Sequence, residues 1–315
     1  MSKKTFKAMD LARVRTYPAK KRFSKVKQSY LGKPPRKGMR VGSLLDSMPQ
    51  ILAAQNLQEI TRGIVRAHRR NKTVLLGIGA HSIKVGLSPL IIDFMKRGIL
   101  SAVAMNGAGI IHDFELAFMG ETSEEVAASL KDGSFGMARE TGAFLNEAIT
   151  RGNERGEGIG RAVGSAILAQ RMPYRHLSIL AAGARMEIPV TVHVGIGTDI
   201  IHMHPNADGA ALGAGSLADF RTLTSVVATL KDGVFLNFGS AVILPEVFLK
   251  ALNLARNLRH SVNNLTTVDL DFLSHYRPLT NVVHRPTLGS GHGYHLTGHL
   301  EIMVPLLFAS VLEEL

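Results

Sequence analysis

Two stretches of this chain combine glycine with titratable side chains at a spacing that could do chemistry. One reads Asn106-Gly107-Ala108-Gly109-Ile110-Ile111-His112-Asp113-Phe114-Glu115, the other Gly195-Ile196-Gly197-Thr198-Asp199. Glycine lets backbone N–H groups approach a phosphate, and a helix beginning there adds a favourable partial charge. Imidazole beside carboxylate supplies a proton acceptor that can be tuned near neutral pH. His112 is therefore the candidate acid or base, and Asp113 and Asp199 are the candidates to orient a substrate or a ribose. Gly77-Ile78-Gly79-Ala80-His81-Ser82 and Asn237-Phe238-Gly239-Ser240 repeat the glycine pattern. None of the four is a G-x-G-x-x-G fingerprint with an acid about 20 residues on, and none is a P-loop. Together they point to a nucleotide-like ligand. Each alone also reads as a tight, packed turn.

Other chemistries use the same residues. His193, Asp199, His202 and His204 lie close in sequence, and His292, His295 and His299 cluster further on. Two histidines at i, i+2 beside a carboxylate can hold Zn²⁺, which makes a metal-dependent hydrolase using His193, His202 and His204 one alternative. The competing reading is loop histidines hydrogen-bonded to backbone. No G-x-S-x-G elbow and no cysteine occurs, so the usual nucleophiles have no motif. Asp113, Glu115 and Asp199 could also pair the ammonium groups of a cationic substrate, such as a polyamine, in a dry pocket.

The elements that must position these groups are legible as apolar runs. Residues 73–79, 100–105, 188–194 and 233–238 are rich in small and β-branched residues, as strands buried on both faces are. Residues 266–270 and 281–284 read as shorter strands. Helical spacing covers 41–48, 55–69, 90–97, 122–150 with a break near Asp132-Gly133, 161–170, 178–184, 217–230, 245–258 and 300–312. Residues 289–298, rich in glycine and histidine, read as a loop. Strands alternating with helices predict an α/β fold, one doubly wound, mostly parallel Rossmann-like sheet with its site at the carboxyl ends of the strands.

Charge divides the chain unevenly. Thirteen of its 37 Lys and Arg, but one of its 25 Asp and Glu, lie in residues 1–37, which leaves 24 of each in the remainder. Residues 1–40 thus form a basic, extended arm, and 41–315 a neutral α/β domain. Such an arm could contact nucleic acid or an acidic partner. With Tyr17, Phe23, Tyr30 and three prolines interleaved, it reads better as a segment wrapping a neighbouring subunit. The absence of cysteine fits a reducing cytoplasm, and no apolar run reads as a membrane span or a signal peptide.

Taken together, these motifs resemble the deoxyhypusine synthase family, diffusely from about Thr73 to Glu314. Leu76-Gly77-Ile78-Gly79-Ala80-His81-Ser82, a helix, and then Val103 to Asp113 are similar to that family's Ser-rich loop and its Thr-Ala-Gly-Gly-Val-Glu-Glu-Asp segment. Ile188-Pro189-Val190 with Thr198-Asp199 is similar to its Ile-Pro-Val strand and Leu-Thr-Asp-Gly turn. The stretch from Gly233 to Leu244 is similar to its strand ending Gly-Gly-Gly-Val-Val-Lys, and Pro305-Leu306-Leu307 to its Phe-Pro-Leu-Leu ending. The resemblance implies a homotetramer binding NAD at a subunit interface and transferring the aminobutyl group of spermidine through a lysine imine. NAD would contact Ser82, Asn106, Gly107, Ala108, Gly109, Thr198 and Asp199.

The departures are chemical. The imine-forming lysine falls on Leu244, which cannot form a Schiff base. The paired glutamates fall on Ile111 and His112, no tryptophan remains, and the family's acidic loop becomes Gly289-Ser290-Gly291-His292-Gly293-Tyr294-His295. Lys250 should point away along its helix, and Lys84 is the lysine nearest a strand end. The expectation is a divergent, NAD-binding member doing redox-linked group transfer on a small amine or related substrate. A non-catalytic oligomeric scaffold of the same fold is the alternative.

Overall fold

The chain enters its sheet in the middle and builds outward twice. The computed structural model describes residues 3–315. α1 (Val41–Ser47) and α2 (Leu52–Arg69) lead to β1 (Val74–Ile78). α3 (Ala80–Lys84) and α4 (Ser88–Lys96) carry the chain to β2 (Ala102–Asn106). α5 (Gly107–Met119), α6 (Val126–Ser129), α7 (Arg139–Glu154), α8 (Ile159–Ala169) and α9 (Ile179–Met186) precede β3 (Val190–His193). α10 (Gly209–Val227) then returns to β4 (Val234–Phe238), and α11 (Ile243–Asn257) leads to β5 (Leu265–Asp271). The short α12 (Tyr276–Pro278), a π-helical turn (Leu279–His284), β6 (Gly291–Thr297) and α13 (Leu300–Glu314) complete the chain. The strand order is β3-β2-β1-β4-β5-β6, and every pairing is parallel. The order reverses between β1 and β4, the topological switch point where open α/β sheets bind ligands.

Period-two alternation decides which helices cover which face. Val74, Leu76 and Ile78 of β1 join Leu236, Phe238 and Val268 in a core with Ile60 and Ile64 of α2, Phe114 of α5 and Phe308 of α13. Leu75 and Phe235 face the other way, onto Leu223 of α10 and Leu244, Phe248 and Leu252 of α11. Phe94 stacks on Phe308 at 3.7 Å and Phe235 on Phe248 at 3.8 Å between ring centroids, one pair in each core. Each such buried side chain contributes about 1.5–3 kcal/mol through area removed from water.

Several elements differ from the sequence reading. Residues 281–284 are the π-helical turn and not a strand, whereas residues 289–298 contain β6 and not only a loop. β6 carries almost no apolar side chain; its ladder to β5, from Leu265↔Gly291 to Asp271↔Thr297, holds it at the sheet edge. Gly293 has to be glycine, because a Cβ there would overlap the Val283 carbonyl. Residues 107–115, read as a turn and its exit, are the first turns of α5, capped by Asn106 Oδ1 accepting from Gly109 N–H at 3.2 Å. The helix expected over 122–150 resolves into α6 and α7, and α10 starts earlier than expected because the Asp208 side chain caps Ala210 and Ala211.

Residues 3–40 have only single 3₁₀ turns at Ala19–Lys21 and Gln28–Tyr30, and none of their side chains is buried. Two backbone bonds, Gln50 N–H to Tyr30 and Lys33 N–H to Ser47, tie the end of this segment to the domain. No helix among the described residues is long and apolar enough to cross a membrane.

Candidate functional site

A cavity of about 200 Å³ opens over the carboxyl ends of β2 and β3. The residues of α3 and α5 that face it are Lys84, Ala108, Ile111, His112 and Glu115; Thr198, Asp199 and Ile200 close it from the loop after β3. Ser123, Glu124, Val126 and Phe135, from the segment between α5 and α7, form the remaining wall.

His112 sits one helical turn before Glu115, so both project from the same side of α5. The Thr122 hydroxyl donates to Glu115 Oε2 at 2.6 Å, and Thr141 donates to Glu115 Oε1 at 3.1 Å. With its proton so engaged, Thr122 Oγ1 accepts from His112 Nδ1, 2.7 Å away. This network assigns the proton to Nδ1 and leaves Nε2 with a free lone pair. Burial, and secondarily the Lys84 ammonium, lowers the His112 pKa to about 4, so the ring is neutral at pH 7.

Asp199 heads the single turn Ile200–Met203: its backbone carbonyl accepts from the His202 N–H at 3.1 Å, while His202 Nδ1 accepts from Asp199 N–H at 3.4 Å and Gly197 N–H at 3.1 Å. Asp199 Oδ2 and His202 Nε2 are buried with no hydrogen-bond partner among the described residues. A Cβ at Gly107 would overlap Asp199 Oδ2, which explains the glycine at the first position of α5. Burial pushes the Asp199 carboxyl up to about 6, against the opposing pull of the Thr198 hydroxyl.

The other expected site residues are placed differently. Asp113 follows His112 but projects from another side of α5, fully buried. It accepts from Ser178 Oγ at 2.5 Å, Ile179 N–H at 2.7 Å and Leu180 N–H at 3.3 Å, and so caps α9. Burial still raises its pKa to about 6. Ser82 is buried with its hydroxyl donated to the Phe238 carbonyl at 3.2 Å. Asn106, Gly107 and Gly109 form the helix cap beneath the cavity, whereas Ala108, Thr198 and Asp199 line it. His193 is buried beside Thr191 Oγ1, and His204 Nε2 meets the Gly136 carbonyl at 2.8 Å. Among the described residues no group of three metal-ligating side chains lies together. Leu244 is fully buried in the α10–α11 core. The role of Thr122 was not foreseen; the i, i+3 spacing of His112 and Glu115 was its only local signal.

At the switch point the ends of β1 and β4 run side by side. A Cβ at Gly79 would overlap the Gly239 carbonyl, and one at Gly239 would stand 2.8 Å from Leu300 Cδ1. The residues that would hold the ribose of a dinucleotide are Thr198 and Asp199, whose unpartnered oxygen suits a ribose hydroxyl.

No protein-family model matches the sequence, and no curated protein matches it. Solved structures do resemble the fold. An Entamoeba histolytica protein assigned as a deoxyhypusine synthase superposes with a TM-score of 0.52 at 12% identity, over 90% of this chain and 96% of that one. A conserved LOR/SDH protein from Methanococcus maripaludis S2 gives 0.51 at 14% identity, over 82% and 70%. AgrE, in its ternary complex with ornithine and NAD+, gives 0.51 at 13% identity over 85% of this chain. The chain spans about a third of the length of AgrE and of the cyanobacterial arginine dihydrolase ArgZ. At these identities the likeness is one of fold.

Proposed function

We propose that this chain is a nucleotide-linked enzyme in which His112 takes a proton from a small amine- or hydroxyl-bearing substrate. The observation that carries this reading is the line Glu115–Thr122–His112, which ends in a bare Nε2 at the cavity wall. A base needs its lone pair free at working pH, and an imidazole lowered to about 4 has it. Glu115, through Thr122, stabilises the imidazolium as the proton arrives. Asp199 accepts a hydroxyl or ammonium proton of the bound molecule and fixes its orientation. NAD, when bound, supplies a hydride acceptor, and Thr198 and Asp199 are the residues that would hold its ribose. Leucine at 244 means that any group transfer here proceeds without an imine at that position.

Homotetramer formation and membership of the deoxyhypusine synthase-like class belong to the same proposal, supported by the shared fold and by the exposed arm. Calorimetric titration of NAD into the full chain and into Asp199→Asn tests the nucleotide part. Binding that weakens roughly tenfold in the variant is expected from loss of one charge-assisted hydrogen bond. No heat at millimolar NAD would leave the non-catalytic scaffold as the better reading.

A further inference from the structure

The other half of the carboxyl edge carries a second group of reactive side chains, independent of the His112 cavity. In the β5–β6 ladder Asp269 pairs with His295 and Asp271 with Thr297, so Asp269, His295 and Thr297 share one face of the sheet. Asp269 is fully buried and accepts from Asn237 Nδ2 at 2.7 Å. Its other oxygen lies 2.9 Å from His295 Nδ1, and His295 Nε2 lies 3.0 Å from Thr297 Oγ1. Asn237 is held in turn by donating to the Ser240 carbonyl at 2.9 Å. A carboxylate only accepts, so the His295 proton sits on Nδ1 and the bare Nε2 accepts from the threonine hydroxyl. That is the order acid, imidazole, hydroxyl of a nucleophilic triad, which is recognised by geometry and not by sequence position.

We propose that Thr297 is an activated nucleophile for acyl transfer from small carboxylic esters, with His295 as its base and Asp269 as the positioning residue. Thr297 is exposed, so the donor arrives from solvent. As Thr297 Oγ bonds to the acyl carbon, His295 Nε2 takes the hydroxyl proton. The bond from acyl carbon to the alcohol oxygen breaks, and that oxygen leaves with the same proton. Water then attacks the threonyl ester by the reverse route, releasing the acid and restoring the hydroxyl.

The test treats the chain with p-nitrophenyl acetate, follows nitrophenolate release, and locates acetyl groups by peptide mass spectrometry. A burst of about one equivalent with acetyl on Thr297 is expected. Thr297→Val, at an exposed position, should abolish the acetyl mark while leaving the melting curve intact. His295→Gln should slow the burst by roughly 10²-fold or more. Asp269→Asn, if it folds, should slow it as well. Acetyl found only on lysine or tyrosine, or a burst rate unchanged in His295→Gln, overturns the proposal.

Discussion

Over β2 and β3 the carboxyl edge of the sheet leaves polar atoms facing space: His112 lines a cavity with its Nε2 lone pair unused, and Asp199 Oδ2 is buried without a partner. Over β4, β5 and β6 the same edge links polar groups to one another, Asn237 to Asp269 to His295 to Thr297, although Asn237 Oδ1 and Thr267 Oγ1 are also buried without a partner among the described residues. The strand ends are equivalent in topology, and between them the ends of β1 and β4 approach so closely that a Cβ at Gly79 would overlap the Gly239 carbonyl. The difference shows that strand order marks an edge as a place for a site, while loop packing decides which part of that edge stays open.

The largest disturbance should come from prising the two halves apart. Gly79→Ala places a methyl group against the Gly239 carbonyl, and a backbone atom cannot swing aside. A loss of about 3 kcal/mol in urea unfolding is expected. Asp269→Leu attacks the closed half alone, leaving Asn237 Nδ2 and His295 Nδ1 short of an acceptor; about 2–3 kcal/mol is expected, and a loss under 0.5 kcal/mol would mean the network is not held as described.

The open half is tested by pH. Asp199 titrates near 6 in the fold against 3.8 ordinarily, so between those values the folded chain keeps a proton that the unfolded chain has released. Its contribution to stability therefore falls as pH rises through that window. His112, lowered from 6.5 to about 4, works in the opposite direction between those values. Asp199→Asn removes the falling contribution and keeps the rising one. Unfolding free energies should then climb more steeply from pH 4 to 6 than in wild type, by about 1–2 kcal/mol. The smallest effect is Lys84→Gln. Without the ammonium, the His112 pKa, followed by imidazole NMR, should rise above 4 yet stay below 6.5, because burial is its larger cause. No rise would separate Lys84 from the site.

Much of the frame is legible residue by residue. The apolar runs of β1 to β4 mark strands buried on both faces, and Ser88-Pro89 marks a helix start, whereas the start of α5 at Asn106 reads only as a turn. His112 and Asp199 are recognisable because imidazole and carboxylate interrupt apolar background beside glycine. β6 is not legible: Gly291-His292-Gly293-Tyr294-His295 has neither alternation nor an apolar run, and its strand exists because β5 offers a free edge. Asp113 shows the same limit from the other side. Its neighbour in sequence faces the cavity, while it faces the backbone amides of α9, some sixty-five residues away in the chain.

By itself, then, the sequence determined the class of fold, the concentration of Lys and Arg in residues 1–37, a leucine at 244 where no imine can form and the strand-end loops in which chemistry could occur. Tertiary structure decided that Thr122 relays Glu115 to His112, that Asp199 keeps one oxygen unpartnered, and that Asp269, His295 and Thr297 fall into line. The physical reason is range. Periodicity and side-chain type act over a few residues and set local conformation, whereas a hydrogen bond or an overlap depends on which distant segments packing brings within about 3 Å.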